Sequence, residues 1–197
     1  MPKLITIYWR DIPAQVIGQQ GRQRVKQELD KRFAVFRPGQ KVLDLGAAPG
    51  SWSLFAAERV GPGGSVLACD IKPTDTAFPG QVEFRVEDVF QRSEAFEAEL
   101  ADRGPFDVVV SDMAPATTGH KATDQARSMN LAEEALALAR ISLVKGGHFV
   151  VKIFQGPDEQ AYLASMRALF EKVKTFKPKS SRSESKEMFC IGLGFKG

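Results

Sequence analysis

The stretch Val42-Leu43-Asp44-Leu45-Gly46-Ala47-Ala48-Pro49-Gly50-Ser51-Trp52-Ser53 decides the fold. Residues 42–46 read as a short apolar strand ending in glycine. Residues 51–60 then read as a helix, with Trp52, Phe55, Ala56 and Val60 at helical spacing. Gly61-Pro62-Gly63-Gly64 stops that helix. Outward from this unit the alternation continues. Residues 65–70, 81–86, 106–111, 148–154 and 188–195 read as strands, and 93–102, 124–143 and 158–173 as helices. Strands separated by helices imply an α/β fold with a mostly parallel central sheet and helices on both faces. Upstream, residues 3–9 suit a strand, and residues 15–33 suit a helix with Val16, Val25, Leu29 and Phe33 towards the core. The expected division is a basic N-terminal extension over 1–40 and one domain over 41–197.

Composition narrows the class. The 197 residues are 43% hydrophobic and 26% charged, which suits one globular domain with a sizeable core and excludes wholesale disorder. No apolar run approaches the ~20 residues that span a bilayer, so no membrane role is expected. Arg10 and Asp11 come too early for a secretory leader. Two cysteines, Cys69 and Cys190, exclude a disulfide framework and point to a reducing, cytoplasmic setting. The net charge of +3 is unevenly spread: residues 1–40 hold eight Lys or Arg against three acids, and residues 171–197 hold seven against three. Two basic ends around an acidic middle suit a polyanionic partner. The basic groups are Arg22, Arg24, Lys26, Lys31, Arg32 and Arg37, and Lys172, Lys174, Lys177, Lys179, Arg182 and Lys186.

Ligands of open parallel sheets bind beyond the carboxyl ends of the strands. There the chain carries the small-residue turn Gly46–Gly50, which lets backbone approach a ligand closely. The dinucleotide fingerprint G-x-G-x-x-G fails at Ala48, and Pro49 lacks the N–H a pyrophosphate needs, which excludes a nicotinamide dehydrogenase. Asp70, 24 residues after Gly46, ends the second core strand and suits two ribose hydroxyls. Asp88 suits an adenine amino group, with Val89 or Phe90 against the ring. An adenosyl ligand without a diphosphate fits this set, and S-adenosylmethionine is such a ligand.

Asp112 follows the strand FDVVVS at the same edge, in Ser111-Asp112-Met113-Ala114-Pro115. The Pro-Pro-aromatic that would grip a planar base is absent, which argues against methylation of a base amino group. Lys152 sits inside the apolar strand FVVKIF, and Glu187 opens the last strand. A hydroxyl is a poor nucleophile and needs a base to remove its proton as it is methylated. His120 and His148 are isolated, and no metal is expected.

VLDLGAAPGSWS, SDMAP, FVVKIFQG and KPKSSRSESKEMF resemble the motifs of the FtsJ/RrmJ-type ribosomal RNA 2′-O-methyltransferases over about residues 30–197. The resemblance implies a Rossmann-like fold using S-adenosylmethionine. It also implies methylation of the 2′-hydroxyl of a uridine in large-subunit ribosomal RNA, on the 50S subunit. Alongside Gly46, it puts donor-binding positions at Gly50, Trp52, Asp70, Asp88 and Asp112. It makes Lys152 the base, with Asp112 and Glu187 orienting it and the hydroxyl. A monomer is expected.

The family's catalytic set is Lys-Asp-Lys-Glu, and its first lysine is where this chain departs. Aligning Asp30-Lys31-Arg32-Phe33 with the family puts Val25 at that lysine's position, with Lys26 one residue off. On a helix that offset is about 100°. Lys26 is thus the candidate for the fourth catalytic residue, displaced from the family register. Residues 1–24, with KLITIYWRDIPAQVI, resemble the opening of a small bacterial family called "virulence factor". The competing function is a non-catalytic RNA- or ribosome-binding module that keeps the cofactor pocket. A small-molecule methyltransferase leaves the basic ends unexplained.

Overall fold

The structure is a computed structural model that describes residues 34–177 and 186–197 in full. Nearer the N-terminus it describes the backbone of three strands, β1 (Lys3–Trp9), β2 (Ile12–Gln20) and β3 (Gln23–Glu28). These form an antiparallel sheet of their own, in the order β1-β2-β3.

Seven strands make the main sheet: β4 (Lys41–Leu45), β5 (Ser65–Asp70), β6 (Val82–Val86), β7 (Phe106–Ser111), β8 (Leu143–Phe154), β9 (Phe170–Phe176) and β10 (Glu187–Phe195). Their order is β6-β5-β4-β7-β8-β10-β9. The first five are parallel, and β10 and β9 run antiparallel at one side. Strands covered on both faces must be apolar on both, and Val42, Leu43, Val108, Val109 and Val110 are fully buried. Helix α1 (Ser51–Val60) covers one face, with Val35, Phe36, Trp52, Phe55 and Val60 in one core cluster. Helices α2 (Glu94–Arg103), α3 (Lys121–Ser142) and α4 (Glu159–Leu169) cover the other around Phe96, Leu138, Phe149 and Met166. Helix α2 starts where Ser93 Oγ accepts the Phe96 N–H at 3.2 Å, an N-cap worth about 1 kcal/mol.

Two expected helices are corrected. The helix expected over 15–33 is replaced, as far as the described residues reach, by β2 and β3. Val16-Ile17 is β-branched, and Gly18 and Gly21 oppose a helix there, while pairing with Ile5 and Thr6 of β1 rewards an extended chain. The remainder of that helix, residues 29–33, lies outside the described residues. The helix expected over 158–173 stops at Leu169, and the chain then runs as β9. Phe170, Val173, Thr175 and Phe176 favour a strand, and exposed Lys172 and Lys174 suit a sheet edge.

Candidate active site

Sheet register assembles the site. Asp44 of β4 pairs with Ala68 of β5 and with Val110 of β7, so Asp70 and Asp112 each stand two residues beyond it on the neighbouring strands. Ser111 pairs with Val151, which sets Asp112 beside Lys152. Lys152 pairs with Phe189, and Phe154 with Glu187, so Glu187 lies diagonally across from Lys152. Side chains alternate along a strand with period two. Asp44, Asp70, Asp112, Lys152 and Glu187 therefore share the face covered by α1, at the carboxyl end of the parallel strands.

The turn between β4 and α1 is shaped by two glycines. Gly46 has φ 77°, and a Cβ there would lie 2.8 Å from the Met113 backbone. Gly50 has φ 118°, and its Cβ would lie 2.8 Å from the Phe78 ring. Both positions need glycine for conformation and for space. Asp70 anchors the turn, since Oδ2 accepts the Ala48 N–H at 3.0 Å and Oδ1 accepts the Lys72 N–H at 2.8 Å. Asp88 Oδ1 accepts the Phe90 N–H at 2.9 Å.

A cavity of about 760 Å³ opens at this edge, and Gly46, Asp70, Asp88, Asp112 and Lys152 are on its wall. Gly50 and Trp52 are not among its lining residues. Gly50 instead starts α1, and the buried Trp52 stacks on Phe189 with ring centroids 5.7 Å apart. Lys152 is only 7% exposed. Its Nζ donates to Asp112 Oδ1 and to the Asp112 backbone oxygen, each at 2.9 Å. An ammonium has three donors, so a third can face the cavity.

The structure adds residues that the sequence did not single out. Asp44 is fully buried and accepts Ser53 Oγ–H on Oδ2 at 2.6 Å. Burial pushes its carboxyl up to about 7, with Asp112 and Asp70 adding to the effect against the Ser53 hydrogen bond. Asp124, in the first turn of α3, accepts from Thr118 N and Oγ1, both at 2.8 Å, and from Gly119 N at 3.2 Å. The Thr118 N–H is the main cause that holds this carboxyl below its ordinary range. It fixes the segment that follows Asp112. Ser128 accepts the Phe154 N–H at 3.0 Å, and Gln125 Nε2 donates to the Gln155 oxygen, which tie the end of β8 to α3.

Lys26 falls in β3, opposite Ile17, and its side chain lies outside what is described. The helical offset argued for it does not apply, because adjacent strand positions lie on opposite faces. The side chain of Arg24 likewise lies outside the described residues, as do Arg22, Lys31, Arg32, Lys179 and Arg182. Among the described residues no His, Cys, Asp or Glu cluster could hold a metal ion.

A mostly parallel sheet with a glycine turn after its central strand, and acids ending the next strands, defines a Rossmann-like methyltransferase whose methyl donor is S-adenosylmethionine. The chain belongs to the FtsJ-like methyltransferase family, whose model matches residues 26–195. A second model, called Virulence factor, matches residues 7–36. The ribosomal RNA large subunit methyltransferase E of Oleidesulfovibrio alaskensis is 67% identical over 171 residues, covering 87% of this chain and 83% of that protein. The protein of the same name from Lawsonia intracellularis is 53% identical over 170 residues, covering 86% of this chain and 85% of that one. Solved structures show the same fold. A Plasmodium falciparum chain described as a ribosomal RNA methyltransferase superposes with TM-score 0.73 at 23% identity, covering 85% of this chain and 93% of that one. Human methyltransferase-like protein 13 in complex with SAH superposes with TM-score 0.57 at 16% identity, covering 82% and 78%. The cavity suits the donor chemically. Its wall combines the carboxyl residues Asp70, Asp88 and Asp112 with the apolar Ile71, Val89 and Phe90, a mixture that fits a ligand with a charged part and a flat ring.

Proposed function

We propose that this chain transfers a methyl group from S-adenosylmethionine to the 2′-hydroxyl of a uridine ribose in large-subunit ribosomal RNA, on the 50S subunit. The observation that carries the reading is the ion pair of buried Lys152 with half-buried Asp112 on the cavity wall, diagonal to Glu187. The names of the relatives point to the same substrate class. When bound, the donor supplies an electrophilic methyl group on a sulfonium sulfur.

Asp70 holds the donor's ribose hydroxyls, and Asp88 the adenine edge. Asp112 fixes Lys152 Nζ by two acceptors on one residue, so the amine cannot swing away from the edge. Lys152 acts as a neutral amine whose two N–H groups go to Asp112. Its lone pair takes the 2′-hydroxyl proton as the oxygen bonds to the methyl carbon and the carbon–sulfur bond breaks, and the ammonium so formed passes that proton to solvent. Glu187 orients the hydroxyl from the antiparallel strand. The missing base grip after Asp112 favours a hydroxyl over a base nitrogen as acceptor. Residues 41–197 form the catalytic domain, residues 1–40 are a basic extension, and the protein works as a cytoplasmic monomer without a metal. Lys177 and Lys186 neutralise RNA phosphates near Glu187, and Lys174 and Lys172, opposite Ile191 and Leu193, extend the basic row along the edge strand away from it. The test is transfer of tritiated methyl to 50S subunits lacking the modification, compared with protein-free RNA. Incorporation on subunits supports the reading, and its absence from both substrates sinks it.

A further inference from the structure

Three acids near the glycine turn stand on neighbouring strands of one sheet face. Asp44 is in the middle, and Asp70 and Asp112 flank it one step nearer the edge. Ser53 of α1 satisfies one Asp44 oxygen, and Oδ1 has no hydrogen-bond partner among the described residues. A fully buried anion with a bare oxygen between two further carboxylates is costly unless it is neutralised by a proton or by a cation. Among the described residues, the elements packed around it supply no cation. On β5 the neighbouring groups are Asp70 and, on the opposite face, Cys69. On β7 they are Ser111 and Asp112, with Asp107 at the far end accepting the Lys41 N–H. On α1, Glu58 and Arg59 sit in the last turn, where Arg59 lies over the Phe55 ring. Lys152 on β8 is engaged by Asp112.

We infer that Asp44 is a charge switch beneath the donor cavity, protonated while the cavity holds no cation and ionised when the sulfonium donor binds. The inference rests on reading the cavity as the donor site. Bringing a fixed positive charge close to a desolvated carboxyl favours its anion, and the released proton goes to solvent. After methyl transfer the sulfur is a neutral thioether, so the advantage disappears and Asp44 takes up a proton from solvent. Only the Asp44 O–H bond is made and broken. The carboxyl's upward shift to about 7 puts this exchange in the neutral range. The consequence is a site whose preference for charged donor over neutral product grows as pH rises through that range.

Titration calorimetry at pH 7 in buffers of different ionisation enthalpy tests this directly. The donor's own amino group also titrates, so the measured quantity is the difference between wild type and Asp44→Asn. With S-adenosylmethionine, wild type should release roughly half a proton more than the variant. With S-adenosylhomocysteine the two proteins should not differ. Equal release by both proteins with S-adenosylmethionine overturns the switch, whereas no binding to wild type overturns the donor site itself. Should Asp44→Asn not fold, difference infrared spectra of wild type labelled with ¹³C-aspartate give the same answer. The protonated-carboxyl band should fall on adding S-adenosylmethionine and persist with S-adenosylhomocysteine, and an unchanged band with both overturns the switch.

Discussion

Lys152 Nζ is bound twice by one residue, at 2.9 Å from the Asp112 carboxylate and at 2.9 Å from the Asp112 backbone oxygen. The backbone bond matters because it survives any rotation of the carboxylate. It ties the lysine to the end of β7 itself, so the amine's position follows from the pairing of β7 with β8.

Lys152→Ala should therefore remove chemistry and spare donor binding. The single-turnover rate should fall on the order of 10²–10⁴-fold, the range for loss of a positioned base. The calorimetric affinity for S-adenosylmethionine should stay within about threefold, under 1 kcal/mol. A variant with near-normal turnover would remove Lys152 from the base role.

Asp70→Ala should have the opposite profile. It removes the acceptor that anchors the Ala48 and Lys72 N–H groups and the proposed acceptor for the donor ribose. Donor affinity should weaken roughly 10- to 100-fold, corresponding to the loss of charged hydrogen bonds. Unchanged affinity by calorimetry would place the donor elsewhere.

Gly46→Ala should destabilise the fold as well as the site. A Cβ at φ 77° meets the Met113 backbone at 2.8 Å, and backbone cannot step aside as a side-chain tip can. A loss of about 2 kcal/mol or more is expected from strain and overlap together. Chemical denaturation of the variant, with a midpoint equal to wild type, would contradict this.

Acid should weaken the protein through His148. Burial lowers its proton affinity below the ordinary value of 6.5, and Nδ1 accepts the Gly194 N–H at 3.3 Å. The unfolded chain then binds more protons than the folded one just below pH 6.5, so stability falls as pH drops through that window and is retained above it. Relative to wild type, His148→Gln should gain stability as pH falls below 6.5, measured by urea unfolding at each pH. Asp44 acts with the opposite sign, costing stability as pH rises from 3.8 towards 7. An acid limb equally steep in the variant would assign the loss to other groups.

The parallel core was legible because its strands are buried on both faces and therefore uniformly apolar, so β5 and β7 coincide with their expected limits. Asp70, Asp112 and Lys152 were legible for a related reason: each is a charged residue at the end of, or inside, an apolar run, whereas Asp88 was found from its place just after an alternating strand. Asp44 has that same signature, yet the strand reading absorbed it, because its burial depends on α1 and on both neighbouring strands. Ser128 and Gln125 carry no motif. Their partners Phe154 and Gln155 are 26 and 30 residues away, beyond any local pattern. Strand β9 was hidden because Phe170 and Val173 continue the helical spacing of α4, and only pairing with β10 selects the strand. Strand β1 coincides with the strand expected over 3–9, whereas β2 and β3 were missed because apolar positions at helical intervals were weighed above Val16-Ile17-Gly18, whose pairing with β1 is a tertiary choice.

The central claim is that the acceptor is a ribose hydroxyl of large-subunit RNA and that Lys152 serves it. The most direct measurement is single-turnover methylation of undermethylated 50S subunits by wild type and Lys152→Ala, followed by alkaline hydrolysis of the labelled RNA. A 2′-O-methyl group blocks cleavage of the adjacent phosphodiester. Label is expected in an alkali-resistant dinucleotide for wild type and none above background for Lys152→Ala. Label in ordinary mononucleotides, or equal labelling by both proteins, would contradict it.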